Sequence, residues 1–218
     1  MAAGSSRRKR ARPGGHPLRA EVVVHHQRQR IIAGAATVIA ERGYRNVSVA
    51  DIVSTAAIAR ARFYEHFGSK EDCFFALYDL GTRDALQAVE ASCEMGTEEF
   101  PERVRHGLAA LLAYIEANPQ IARSCIVEGP AVGPAFNDRF EQMIRDFATL
   151  LRSGRGEEGG NELPKTVEET VVGGLYWLLY HALLEGRPKK VARLLPQLAE
   201  FSLIPFLGAE SFGAKAAG

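Results

Sequence analysis

Cysteine is scarce in this 218-residue chain: Cys73, Cys93 and Cys125 stand far apart, form no CxxC pair and are odd in number. That excludes a disulfide framework and the usual zinc sites, and it points to a reducing, cytoplasmic setting. No apolar run reaches the roughly 18 residues of a membrane helix, so no membrane association is expected. The basic cluster Arg7, Arg8, Lys9, Arg10 and Arg12 is followed by no apolar segment of the kind an export signal carries. A phosphate loop, a dinucleotide fingerprint and a nucleophile elbow are all missing, and His25-His26 lack a partner motif for metal ligation. Neither an enzyme nor a bound metal or cofactor is expected. Strand alternation and internal repeats are absent too, which leaves an all-α chain.

The formal net charge is only +1, but the charges are segregated. Residues 1–70 hold 13 Lys and Arg against 4 Asp and Glu, whereas residues 71–218 hold 14 against 22. A basic first part reads as a polyanion-binding module, and an acidic remainder should stay off the polyanion. The division expected is a disordered basic arm at 1–24, a small nucleic-acid-reading domain at 25–70 and a larger helical domain at 71–218. The arm either follows a nucleic-acid backbone or only solubilises the chain.

Within the basic part, residues 48–71 read SVADIVSTAAIARARFYEHFGSKE. Ser48 and Asp51 have the spacing of a capping box, which predicts a helix from Val49. Val49, Ile52, Val53 and Ala56 recur on one face, and the helix should end near Ala56. A second helix should turn Phe63 and Phe67 inward, leaving Ala61, Arg62, Tyr64 and Glu65 outward with Arg60 and His66 on the flanks. Ser69 repeats the cap with Asp72. Before them, Ile31, Ile32, Ala35, Val38 and Ile39 predict an amphipathic helix over 27–42, ended by Gly43.

The stretch around ARFYEHFGSKED resembles the DNA-binding domain of the tetracycline-repressor (TetR) family over about residues 25–75. The resemblance implies an N-terminal three-helix domain with a helix-turn-helix. It also implies that Arg60, Ala61 and Tyr64 face base edges while Ser48, Arg62, Tyr64, His66 and Lys70 approach phosphates of double-stranded operator DNA. Those roles suit the chemistry, since arginine can bond a guanine edge through two donors and the other side chains suit phosphate oxygens. Two positions depart from the pattern: Ala57 stands where the family usually has a turn glycine, and Ala59 where it has a serine or threonine cap.

Beyond Ser69 the pattern predicts helices at about 72–93, 98–117, 119–127, 134–151, 164–185 and 191–207. Asn118-Pro119 supplies a cap and a first-turn proline. The Gly-rich run 153–163 reads as a loop. VVGGLYWLLYHALL is apolar around too much of its circumference for a helix with one buried side, and Gly173-Gly174 would let helix backbones approach. In the family the last two helices form a dimer bundle, so a homodimer is implied. Tyr114, Glu128, Phe140, Met143, Phe147, Trp177 and His181 are the candidates for a pocket holding a small, often hydrophobic effector, as the resemblance implies. The expected function is a regulator, most simply a repressor released by that effector. An effector-free architectural DNA-binding protein and a helical enzyme using the aromatic region are the alternatives.

Overall fold

The computed structural model describes residues 17–93, 99–156, 162–186 and 188–208, and among these the regular structure is entirely helical. The long helices are α1 (Pro17–Arg42), α4 (Lys70–Cys93), α5 (Phe100–Ala117), α7 (Ala135–Thr149), α8 (Val167–Leu184) and α9 (Leu195–Leu207). Three shorter ones, α2 (Val49–Thr55), α3 (Arg60–His66) and α6 (Pro119–Ile126), sit between them. The basic cluster 7–12 lies outside the described residues. Helix α1 begins ahead of the position 27 expected, so residues 17–24, expected to be disordered, are helical. Pro17 stands where a helix has no use for an N–H, and nothing from Leu18 to Val24 breaks the run.

Two apolar clusters organise the chain. In the first, Ile31, Ile32, Ala35, Val38 and Ile39 of α1 pack with Ile52, Phe63, Phe67, Phe74 and Leu77. This joins the three N-terminal helices to α4. Gly34 permits the close crossing of α1 over the α2–α3 turn, because a Cβ there would come within 3.0 Å of Ala56 Cβ. The second cluster is built by α5, α8 and α9 from Leu108, Leu112, Val171, Leu175, Leu183, Leu198 and Leu203.

Three local expectations need correction. Asn118 does not cap α6: its side chain donates to Tyr114 O at 3.0 Å, closing α5 instead. Its Nδ2 is spent on α5, and no α6 amide donates to its side-chain oxygen. The start of the Gly-rich run is not free loop, since residues Arg152–Gly156 form a short 3₁₀ turn. Arg155 anchors it with a two-pronged bond to Glu168 at 2.6 and 2.9 Å. Finally, the tight approach at Gly174 is to a ring of the same chain, Phe201 of α9, whose atoms lie 2.4 Å from a Cβ built there. Gly173 has nothing within 4 Å.

Candidate nucleic-acid interface and internal cavity

The reading surface is assembled by α2, the turn after it and α3. Ser48 caps α2 as a full capping box, with its Oγ accepting from Asp51 N and the Asp51 carboxylate accepting from Ser48 N. That pairing, chiefly the bonds from Ser48, holds the Asp51 carboxyl below the usual range. Phe63 and Phe67 are buried beneath α3, and Arg60, Ala61, Arg62, Tyr64 and Glu65 all face solvent, as their spacing requires. Arg60 lies over the Tyr64 ring at 5.8 Å, while Arg62 pairs with Glu65 at 2.6 Å. His66 is half-buried, and its Nε2 has no hydrogen-bond partner among the described residues.

Both sequence departures have a visible backbone consequence. Ala57 takes φ 51°, alone among the described non-glycine residues in having a positive φ. A left-handed alanine costs about 1–2 kcal/mol. Ala59 occupies the cap of α3 and offers it no side-chain bond. Two features compensate. Ile58 N donates to Val53 O at 3.1 Å, and Arg30 Nη2 of α1 donates to the Ala56 and Ala57 carbonyls at 2.8 and 3.1 Å. Arg30 carries no sequence motif that would have marked it.

Lys70 is occupied within the fold. Its ammonium donates to Tyr44 O and Val47 O at 2.9 and 2.8 Å and lies 4.1 Å from the Tyr44 ring centre. Partial burial pushes its pKa down. It therefore ties the turn after α1 to the start of α4.

A cavity of about 200 Å³ opens between α4, α5, α6, α7 and α8. Its walls are nearly all apolar, with Val104, Leu108, Leu111, Ile121 and Leu175 among them. Of the residues expected there, Tyr114, Met143 and Phe147 do line it. Glu128, Phe140, Trp177 and His181 do not. On α8, Val171, Val172, Leu175, Leu179 and Leu183 turn inward, so Trp177 and His181 fall on the opposite face, where Trp177 is 59% exposed. Phe140 packs on Tyr176, ring centres 4.8 Å apart. Glu128 lies past the end of α6, and its Oε2 accepts the Tyr44 N–H at 2.9 Å. Sequence reading missed Tyr78, Leu175 and the cysteines on this wall, since they look like ordinary core.

Helix α6 touches both regions. Ile121, Ala122, Cys125 and Ile126 line the cavity. From the same helix Arg123 Nε donates to Ala40 O, and buried Ser124 Oγ donates to Ala36 O, each at 3.0 Å. Both acceptors are on α1. With the Glu128–Tyr44 bond, three contacts link the short cavity helix and its following turn to the domain that carries α3.

Comparison with known proteins bears on the family and on the fold. Residues 31–77 match the family model described as bacterial regulatory proteins, tetR family. The HTH-type transcriptional repressor AcnR of Corynebacterium glutamicum is 34% identical over 165 residues, covering 68% of this chain and 79% of its own. The uncharacterized HTH-type transcriptional regulator YdgC of Bacillus subtilis is 24% identical over 189 residues, 82% of this chain and 93% of its own. Among solved structures, the fatty acid degradation regulator FadR of Bacillus halodurans superposes with TM-score 0.71 at 19% identity, over 81% of this chain and 94% of that one. The Bacillus subtilis FadR in complex with stearoyl-CoA gives 0.68 at 16% identity, over 83% and 98%.

Proposed function

The chain belongs to the tetR family of bacterial regulatory proteins, and from that premise we propose that it is a homodimeric transcriptional repressor released from a palindromic operator by a small apolar effector. The observation that carries this reading is the 200 Å³ apolar cavity placed one short helix away from the reading domain. The exposed face of α3 supplies DNA contacts, with Arg60 reaching a base edge and Ala61 and Tyr64 beside it. Arg62, Tyr64, His66 and the Ser48 end of α2 approach phosphates. Lys70 acts as a strut, its charge still adding to the positive field.

Dimerisation falls to the outward faces of α8 and α9, where Trp177, Leu184 and Phe201 are exposed apolar side chains. Two copies joined there would offer two reading helices to half-sites about 34–36 Å apart, one turn of DNA, or a multiple of that. Release follows from differential affinity. An effector that fills the cavity better in one arrangement of α6 favours that arrangement, and Arg123, Ser124 and Glu128 carry the shift to α1 and the Tyr44 turn. The relatives support the reading through their names, AcnR being a repressor and one FadR holding stearoyl-CoA. No described helix is long and apolar enough to cross a membrane, in keeping with action on DNA in the cytoplasm.

Selection of bound duplexes from random DNA tests the proposal. A palindromic consensus whose enrichment falls when apolar compounds are added is expected. Binding without sequence preference would contradict it and favour an architectural protein.

A further inference from the structure

A second hollow, of about 300 Å³, lies in the seam between α4 and α7. Tyr78 and Thr82 of α4 and Met143 and Phe147 of α7 line both this hollow and the 200 Å³ apolar cavity. Each pair is spaced four residues apart, so it lies on one face of its helix, and the two pairs together are a wall shared by the seam and the cavity. Apart from Leu86, the remaining seam residues are polar: Asp79 and Arg83 on α4, and Arg139, Gln142 and Asp146 on α7. Arg139 crosses the seam to both oxygens of the Asp79 carboxylate. Gln142 Nε2 donates to Asp146 Oδ1 at 2.7 Å and Gln142 Oε1 accepts from Arg145 at 3.2 Å, while Arg83 pairs with Asp84 at 3.1 Å. An apolar chamber and a polar, water-facing groove thus adjoin across one wall.

Resting on the reading of the apolar cavity as the effector site, we infer that the effector is an amphiphile, with its apolar chain in that cavity and an uncharged, hydrogen-bonding head in the α4–α7 seam. The apolar walls favour the chain, at roughly 25 cal/mol for each Å² it removes from water. A polar head carried inside with it would be stripped of its hydration. In the seam the head stays wet, and the Gln142 carboxamide has a second N–H and a second lone pair beyond its bonds to Asp146 and Arg145. Met143 is the adaptable member of the shared wall, unbranched and flexible, and Thr82, Met143 and Phe147 are each partly exposed. The charges of the seam decide against a charged head. Asp79 and Asp146 stand against Arg83 and Arg139, so an ion of either sign meets as many like charges as opposite ones. A head that both donates and accepts hydrogen bonds meets no such opposition.

The test uses the full-length protein and the uncharged fluorophore N-phenyl-1-naphthylamine, which brightens in apolar surroundings. Its displacement at neutral pH reads the affinities of hexane, hexyl glucoside, hexanoate and hexylammonium, with methyl glucoside as the head alone. Hexyl glucoside is expected to bind at least about tenfold more tightly than hexane or either charged chain, and methyl glucoside to displace nothing. In the Gln142→Ala, Asp146→Ala double variant the advantage over hexane should fall by about tenfold, the scale of two modest hydrogen bonds, with hexane affinity unchanged. Retained operator binding shows that the variant is folded. Equal binding of hexyl glucoside and hexane, displacement by methyl glucoside, an unaltered advantage in the variant, or tighter binding of a charged chain, such as hexanoate at Arg103 of the cavity wall, overturns this inference and leaves the effector site standing. Failure of the fluorophore and of every chain to bind overturns both the inference and the reading on which it rests.

Discussion

Arg30 and Ala57 are the two ends of one device: the guanidinium on α1 donates to the carbonyl of the residue whose backbone is left-handed. A turn that glycine would adopt freely is here made from alanine and pinned from outside. Ala57→Gly should therefore stabilise the protein, by up to about 1 kcal/mol after the added chain entropy of glycine is subtracted. Ala59→Ser should add about 1 kcal/mol by capping α3. Arg30→Met should lower the urea midpoint, and less so in the Ala57→Gly background, because the strained turn no longer needs the brace.

The surface roles separate Arg60 from Lys70. Arg60→Ala should relax preference at one operator position by about 1–3 kcal/mol without altering the melting temperature. Lys70→Ala removes two charge-assisted bonds to the Tyr44 and Val47 carbonyls, so it should destabilise the fold by about 2 kcal/mol or more and weaken binding to all sequences alike. Measuring melting and specificity for both variants checks the distinction; a stable Lys70→Ala protein would contradict it.

Trp177 serves as a reporter of assembly. With 59% of its surface exposed and its ring stacked on Tyr180 at 6.0 Å, Trp177→Glu should shift the sedimenting species from dimer to monomer. Operator affinity should fall with it, while hexyl glucoside affinity should persist. A dimer of undiminished strength would place the interface elsewhere.

Acid should unlock the segment that Arg155 anchors. The guanidinium bond holds the Glu168 carboxyl below its ordinary pKa. Its stabilisation is complete above the normal carboxylate range, near pH 4.3, and is lost as pH falls through the lowered value. In a series of urea melts from pH 6 downward, Glu168→Gln should be less stable at pH 6 and should lack this part of the acid-induced fall. Parallel curves for variant and wild type would contradict the pairing.

What was legible in the chain was local. Ser48 with Asp51, and Phe63 with Phe67, are contacts made three or four residues apart, so their spacing carried both the elements and the faces. The outward set on α3 followed from the same period. Contacts between distant segments carried no such signal. Glu128 follows an apolar run and looked like a polar group for a pocket, yet the chain turns after Ile126 and aims it at the Tyr44 N–H, 84 residues away. Trp177 and His181 looked like pocket aromatics because α8 is apolar all round; which side is covered depends on α6, α7 and α9. Arg30 and Arg155 carry no motif, because the carbonyls and the carboxylate they meet belong to other segments.

If the cavity and the reading surface are coupled through α6, each ligand must alter the affinity of the other. Operator affinity is measured with and without saturating hexyl glucoside, and hexyl glucoside affinity with and without operator, using an operator selected from random duplexes. Each ligand should weaken the other by the same factor, about 5- to 150-fold for coupling of the usual size, and Glu128→Gln should shrink that factor. Hexyl glucoside that binds in the cavity and leaves operator affinity unchanged would contradict that coupling.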